Sequence, residues 1–236
     1  MNYQRKGRYL ANKTKKRHLH QSVVVIGMGR FGSSLARELM KNGHEVLGVD
    51  TDEKLVQTMS QELTHSVKAD TTDEAVLKEL GISEFDSAVV AIGADIEASI
   101  LTTSLLLQLG VKNVWAKANS EPHGRILRQL GAQHVVFPEY DMGMRVAHMV
   151  SGESLEYVPI DEDFVMVKTY VPHIFDGKSL AEAKIRSTFG ITVVATSKGD
   201  GKYTPAFPET VLQTGDQIVL AGPKGPLDEF CQLDNE

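Results

Sequence analysis

Three glycines in six residues, Gly27-Met-Gly-Arg-Phe-Gly32, close a short β-branched run and open a helical pattern. At this spacing they permit a tight turn, a close approach of backbone to phosphate, and close packing of the following helix. The unpaired N–H groups and positive dipole end of that helix suit an anion. Asp50 ends the next β-branched run, 18 residues beyond Gly32. A carboxylate there accepts hydrogen bonds from both hydroxyls of a ribose and repels a 2′-phosphate, so the pair of features points to a nucleotide other than NADP.

Further residues could shape the same site. Arg30, beside Phe31 in the first helical turn, can fork onto a terminal phosphate; the plainer reading is an exposed helix arginine. Asp70, at the end of the third run, either meets an adenine amino group or ties down a local turn. Ligands of an open parallel sheet lie beyond the carboxyl ends of its strands. Ile92 and the segment Gly93 to Ser99, Lys117 and Glu139 fall at such ends. Lys117 could balance phosphate charge and Glu139 could hold a hard divalent cation, or both are rim charges.

The elements that must position these residues alternate. Strands are expected at 22–26, 45–49, 65–69, 86–92, 113–117 and 134–137, with helices between them at 30–42, 52–60, 73–80, 95–109 and 121–130. Thr51 and Thr72 are candidate N-caps. Gly43, Gly81, Gly110 and Gly131 follow last helical turns, where a left-handed residue is wanted. Six strands and five crossovers make an α/β fold, a doubly wound parallel Rossmann sheet. A further helix after Pro138, running to about Val150, leads to a change of pattern at Ser151-Gly-Glu-Ser. Beyond it, a β-rich stretch at 164–171, a helix at 179–186, strands at 191–197 and 217–221 and a last helix from Pro226 suggest a small α+β lobe. The expected domains are therefore 1–21, a basic extension; 22–150, the Rossmann domain; and 151–236, the second lobe.

The 236 residues carry a net charge of −6 that is unevenly spread. Residues 1–20 hold seven Lys or Arg and no acid, leaving 18 basic against 31 acidic residues, a body of about −13. A polyanionic partner would have to use the tail, and a solvated terminus is the plainer reading. No apolar run approaches the roughly 20 residues of a membrane span, and the single Cys231 cannot form an internal disulfide. A cytosolic location is expected. His18-Leu-His20 and Cys231 lack zinc-ligand spacing, and no Gly-x-Ser-x-Gly turn occurs.

Val25 to Gly32, Gly48 to Asp50, Val90 to Ser99, Val114 to Asn119 and Phe137 to Met142, taken together, resemble the RCK (regulator of potassium conductance) family, in particular its KtrA/TrkA type of potassium-uptake regulatory subunit. The similarity runs from about residue 22 to 230. It implies a cytosolic, non-enzymatic switch at the inner face of the membrane: dimers assembled into an octameric ring beneath a potassium-translocating subunit of the KtrB/TrkH type. ATP would favour the active ring and ADP the inactive one, with NAD(H) as a further ligand. The resemblance places Gly27, Gly29, Arg30, Phe31, Gly32, Asp50, Asp70, Ile92, Gly93 and Lys117 around the nucleotide, Arg30 at its γ-phosphate. It places Glu139 on an activating Mg or Ca ion at the dimer interface.

The second lobe resembles the family's RCK-C domain, which in some members binds cyclic di-AMP across a two-fold axis. Leu180, Ala181, Ile185, Arg186, Val193 and Pro208 fall at the corresponding positions, Arg186 facing a phosphate, with Ala181 where bulkier aliphatics are usual. The basic extension has no family counterpart. Two other classes are weighed against this one. An NAD-dependent oxidoreductase would need proton-handling residues in a closing second domain, and the scattered histidines form no such pairing. A nucleic-acid-binding redox sensor would need a helix-turn-helix, for which the tail is too short; no nucleic-acid partner is expected.

Overall fold

A computed structural model describes residues 20–151 and 154–233. The basic extension before His20 and the Gly152-Glu153 pair within the expected boundary lie outside the described residues. By its contacts the chain divides into two compact units that meet in sequence at Pro138 and Glu139.

In the first unit the strands are β1 (Ser22–Ile26), β2 (Glu45–Asp50), β3 (His65–Lys68), β4 (Ser87–Val90), β5 (Val114–Lys117) and β6 (His134–Val136). The helices between them are α1 (Arg30–Lys41), α2 (Glu53–Met59), α3 (Glu74–Glu79), α4 (Ile96–Gln108) and α5 (Glu121–Leu130). All six strands are parallel, in the order β3-β2-β1-β4-β5-β6. Side chains alternate across a strand, so a strand buried on both faces must be apolar throughout. In β1, Val24 and Ile26 pack with Leu77, Leu106 and Leu127 of α3, α4 and α5. Val23 and Val25 pack on the opposite face with Ala36 of α1 and Met59 of α2. The strand order reverses between β1 and β4, where the crossovers leave in opposite directions and a crevice opens.

Every element of this unit lies within two residues of its expected place, but two caps are corrected. Asp52 rather than Thr51 caps α2, and Asp73 rather than Thr72 caps α3, each carboxylate accepting from the amide two residues on. The cause lies upstream. Asp50 accepts from the Asp52 amide and Asp70 from the Thr72 amide, so each strand ends in an Asx turn that delays the helix by one residue.

The second unit begins with α6 (Pro138–Val150), earlier than the pattern change at Ser151 suggests, and continues with β7 (Glu156–Asp161) and β8 (Phe164–Tyr170). Arg145 of α6 pairs with Glu156, and the His148 ring stacks on Tyr157 at 3.9 Å between centroids, which ties the helix to this unit. Then come α7 (Leu180–Ala183), α8 (Ile185–Phe189), β9 (Thr192–Ser197), β10 (Thr204–Pro205), β11 (Gln217–Pro223) and α9 (Lys224–Cys231). The strands form an antiparallel sheet in the order β10-β9-β11-β8-β7. Its core centres on Phe175, Phe189 and Phe230, whose rings meet at 5.3 to 6.5 Å.

Three features of this unit differ from expectation. Strands β7 and β10 contain Pro159 and Pro205, which depress a strand reading, yet both lie at sheet edges, where a missing donor is tolerated. Helix α9 starts before Pro226, which occupies its first turn at no cost in hydrogen bonds. The single helix expected over 179–186 is two helices, broken at Lys184 with φ +50°, the only non-glycine residue at positive φ among those described. The break lets Ile185 reach the core at 2% exposure.

A left-handed residue with a side chain costs about 1–2 kcal/mol, against roughly 0.5–1 kcal/mol for glycine's extra chain entropy. Lys184→Gly should therefore stabilise the second unit by up to about 1 kcal/mol. Calorimetric unfolding that shows no gain, or a loss, would mean that the lysine side chain compensates its own backbone.

Candidate functional site

The turn between β1 and α1 is built from backbone. Gly27 sits at φ +93°, and its amide donates to the Val49 carbonyl at 2.8 Å. A Cβ on Gly27 would stand 3.0 Å from the backbone of Ala91 and Ile92, so the glycine lets the turn cross the end of β4. A Cβ on Gly32 would stand 1.9 Å from the Gly27 carbonyl oxygen, which is how closely α1 approaches its own turn. Gly29 caps α1 without a side-chain hydrogen bond, and a Cβ there would meet open space. Helices α2 to α5 each carry an acid in the first turn, Glu53, Glu74, Glu97 and Glu121; α1 carries none. The positive end of the α1 dipole is thus left for an external anion.

Asp50 stands opposite. Its carboxylate accepts from the Met28 amide at 2.6 Å and the Asp52 amide at 2.9 Å, holding the end of β2 against the glycine turn. Between them runs a cleft of about 550 Å³, bounded by Gly27, Gly29, Asp50, Asp70, Ile92 and Gly93 of the expected residues. Asp70 serves its own turn as well as facing this cleft. Its carboxylate accepts from the Thr72 hydroxyl at 2.7 Å and amide at 3.0 Å, which hold its carboxyl below the usual carboxylate range.

Other expected residues stand apart from the cleft wall. Gly32 lies behind the turn, Arg30 is exposed and Phe31 half-buried on the first turn of α1. Lys117 is buried at 8% exposure at the end of β5, its Nζ 5.9 Å from the Phe31 ring centroid. Glu139 is exposed in the first turn of α6, in the second unit. No three His, Cys, Asp or Glu side chains gather into a metal centre among the described residues. A hard cation held by Glu139 would need other oxygens, such as those of phosphates.

Among the cleft-lining residues that the pattern reading missed are Leu55, Thr71 and Leu101. They come from α2, the β3–α3 turn and α4, and Thr71 is anchored by a 2.9 Å hydroxyl contact to Thr102. Their signal was positional: Leu55 and Thr71 closely follow the ends of β2 and β3, and Leu101 lies in the second turn of α4, whose N-terminus borders the same crevice.

In the second unit Leu180, Ala181, Ile185, Arg186, Val193 and Pro208 all border one hollow of about 360 Å³, with Thr192, Ala206 and Phe207. Arg186 donates through Nε and Nη2 to the Thr192 hydroxyl at 3.2 and 3.1 Å. One guanidinium among apolar walls, with Phe207 at 62% exposure, suits a flat ring bearing an anion.

The close approach at Gly32 makes the first site brittle. Gly32→Ala must push α1 off the turn, costing about 1–3 kcal/mol or more. Its melting temperature should fall, and wild-type melting would mean that the helix shifts without penalty.

Residues 23–138 match the TrkA-N domain model and residues 164–234 the TrkA-C domain model. The chain is 38% identical over 213 residues to the Ktr system potassium uptake protein A of Bacillus subtilis, covering 89% of this chain and 96% of that one. It is 36% identical to the Ktr system potassium uptake protein A of Vibrio alginolyticus, over 86% and 93% of the two chains. A solved structure titled "GsuK channel bound to NAD" shares the fold over 92% of this chain, at TM-score 0.66 and 21% identity. The isolated GsuK RCK domain does so at TM-score 0.64. The chain spans 40% and 48% of those two larger chains. The Ktr relatives are potassium-uptake proteins, not oxidoreductases, and the dehydrogenase alternative is set aside with them. With both domain models matched in order and more than a third of residues shared with full-length relatives, the chain belongs to the TrkA-N/TrkA-C family of Ktr-type potassium-uptake proteins.

Proposed function

We propose that this chain is the nucleotide-sensing regulatory subunit of a membrane potassium-translocating protein of the KtrB/TrkH type, with ATP favouring transport and ADP opposing it. The observation that carries the reading is the α1 N-terminus, uncapped by any side chain, free of acids, and facing Asp50 across a cleft. Backbone N–H groups and the dipole take phosphates, and Asp50 takes the ribose. The subunit works at the cytoplasmic face of the membrane, through its partner. Among the described residues no helix is long and apolar enough to cross a bilayer.

A ligand shifts a conformational equilibrium only by its differential affinity for the two states. ATP and ADP differ by one phosphate, so the sensor must be a group that reaches the last one. Arg30 is the cation at the α1 N-terminus with no hydrogen bond or ion pair among the described residues, and Glu139 is the proposed ligand of a Mg or Ca ion bound with ATP. Assembly as dimers in an octameric ring fits α6, which buries none of its residues within one chain although Tyr140, Met142, Val146 and Val150 are apolar. The hollow around Arg186 is the proposed seat of inhibitory cyclic di-AMP, shared across a two-fold axis.

Calorimetric titration with ATP and ADP, with and without magnesium or calcium and with the mass followed by light scattering, tests the reading. Tight binding of both nucleotides to a large ring supports it; no binding of either ends it. Arg30→Ala should weaken ATP by about tenfold and ADP by less than about twofold, as expected for one hydrogen bond to a charged group. Equal losses would take Arg30 out of the sensor role. Glu139→Gln should abolish the cation's enhancement of ATP binding and leave ADP unchanged; a preserved enhancement assigns the cation to other ligands.

A further inference from the structure

Sheets of this order hold a dinucleotide across two mononucleotide-binding halves, one built on β1 to β3 and the other on β4 to β6. In this chain the cleft is bounded by the ends of β1, β2, β3 and β4 and by residues of α2 and α4; no residue after Leu101 borders it. The second half is not open in the same way. At the end of β5 the Asn119 side-chain amide donates to the Gly93 carbonyl oxygen, joining two strand ends 26 residues apart in sequence. Lys117 lies against the same glycine, with Nζ 3.0 Å from where a Gly93 Cβ would stand. Burial beside Phe31 keeps Lys117 in place. The Asn119 amide, by contrast, is exposed and short.

We propose that the Asn119–Gly93 bridge closes the dinucleotide half of the crevice and makes Asn119 a specificity-determining residue that favours adenosine di- and triphosphates over NAD(H). The inference rests on the nucleotide reading above and narrows its ligand class. A mononucleotide lies between Asp50 and the α1 N-terminus, where it can touch Gly93 on the cleft wall without displacing the Asn119 amide, which does not border the cleft. A dinucleotide must carry its second ribose past the ends of β4 and β5, and so must break the Asn119 hydrogen bond and displace the amide. That cost falls on NAD(H) alone.

The test is a set of titrations of the full chain with ADP, ATP and NADH, in the wild type and in Asn119→Ala, Asn119→Ser and Asn119→Gln. The wild type should bind NADH at least about tenfold more weakly than ADP. Ala and Ser, too short to span to Gly93, should tighten NADH by about fivefold or more and leave ADP and ATP within about twofold, as one released neutral hydrogen bond allows. Gln, which keeps the amide, should retain the discrimination. Asn119 is exposed, so these variants should melt with the wild type. NADH binding as tight as ADP in the wild type overturns the proposal while leaving the nucleotide reading intact, as does NADH affinity that ignores the loss of the amide. Failure of all three ligands to bind removes the nucleotide reading and this proposal together.

Discussion

The first unit depends on one steric constraint, the approach of α1 to the turn that precedes it. With a Cβ position 1.9 Å from the Gly27 oxygen, Gly32 admits no side chain. The closeness aims the first amides of α1 at the crevice rather than at solvent. From this follow the crossing of Gly27 over the end of β4, the 2.6 Å bond from Met28 to Asp50, and the placing of the Asp50 carboxylate opposite the uncapped N-terminus of α1. Polar and apolar requirements meet there: the sheet beneath is buried on both faces, while backbone donors cover its rim.

Electrostatics make that geometry necessary. The chain body is acidic, and Asp50, Asp70, Asp95 and Glu97 border the cleft with no basic residue among them. An anion with several charges would be repelled by the wall alone. Oriented amides offset this without adding a mobile cation, and the nearby cations, exposed Arg30 and buried Lys117, stand off the cleft wall.

The second unit is made differently. Its antiparallel sheet gathers three phenylalanines into a core, and its apolar hollow is assembled from α7, α8, β9 and the segment after β10. The left-handed break at Lys184 is what allows Ile185 to enter the core while Arg186 borders the hollow. Strain at that residue and placement of that guanidinium are one feature.

Much of this was legible before any coordinates. The β-branched runs, the glycine spacing and Asp50 are local chemistry, and they determine the parallel sheet, its order of elements and the place of the nucleotide cleft, because burial on both faces and left-handed turns each demand particular residue types. Other features depended on contacts far apart in the chain. Strand β7 exists because an edge tolerates Pro159; the shift of the caps to Asp52 and Asp73 is by contrast local, since Asp50 and Asp70 each form a turn with the amide two residues on. Leu55, Thr71 and Leu101 face the cleft only once three crossovers have packed. The Asn119–Gly93 bridge spans two strands that are neighbours in space alone. Periodicity reports which side of an element is buried; which residues then meet across a crevice is decided by the register and packing of the whole sheet.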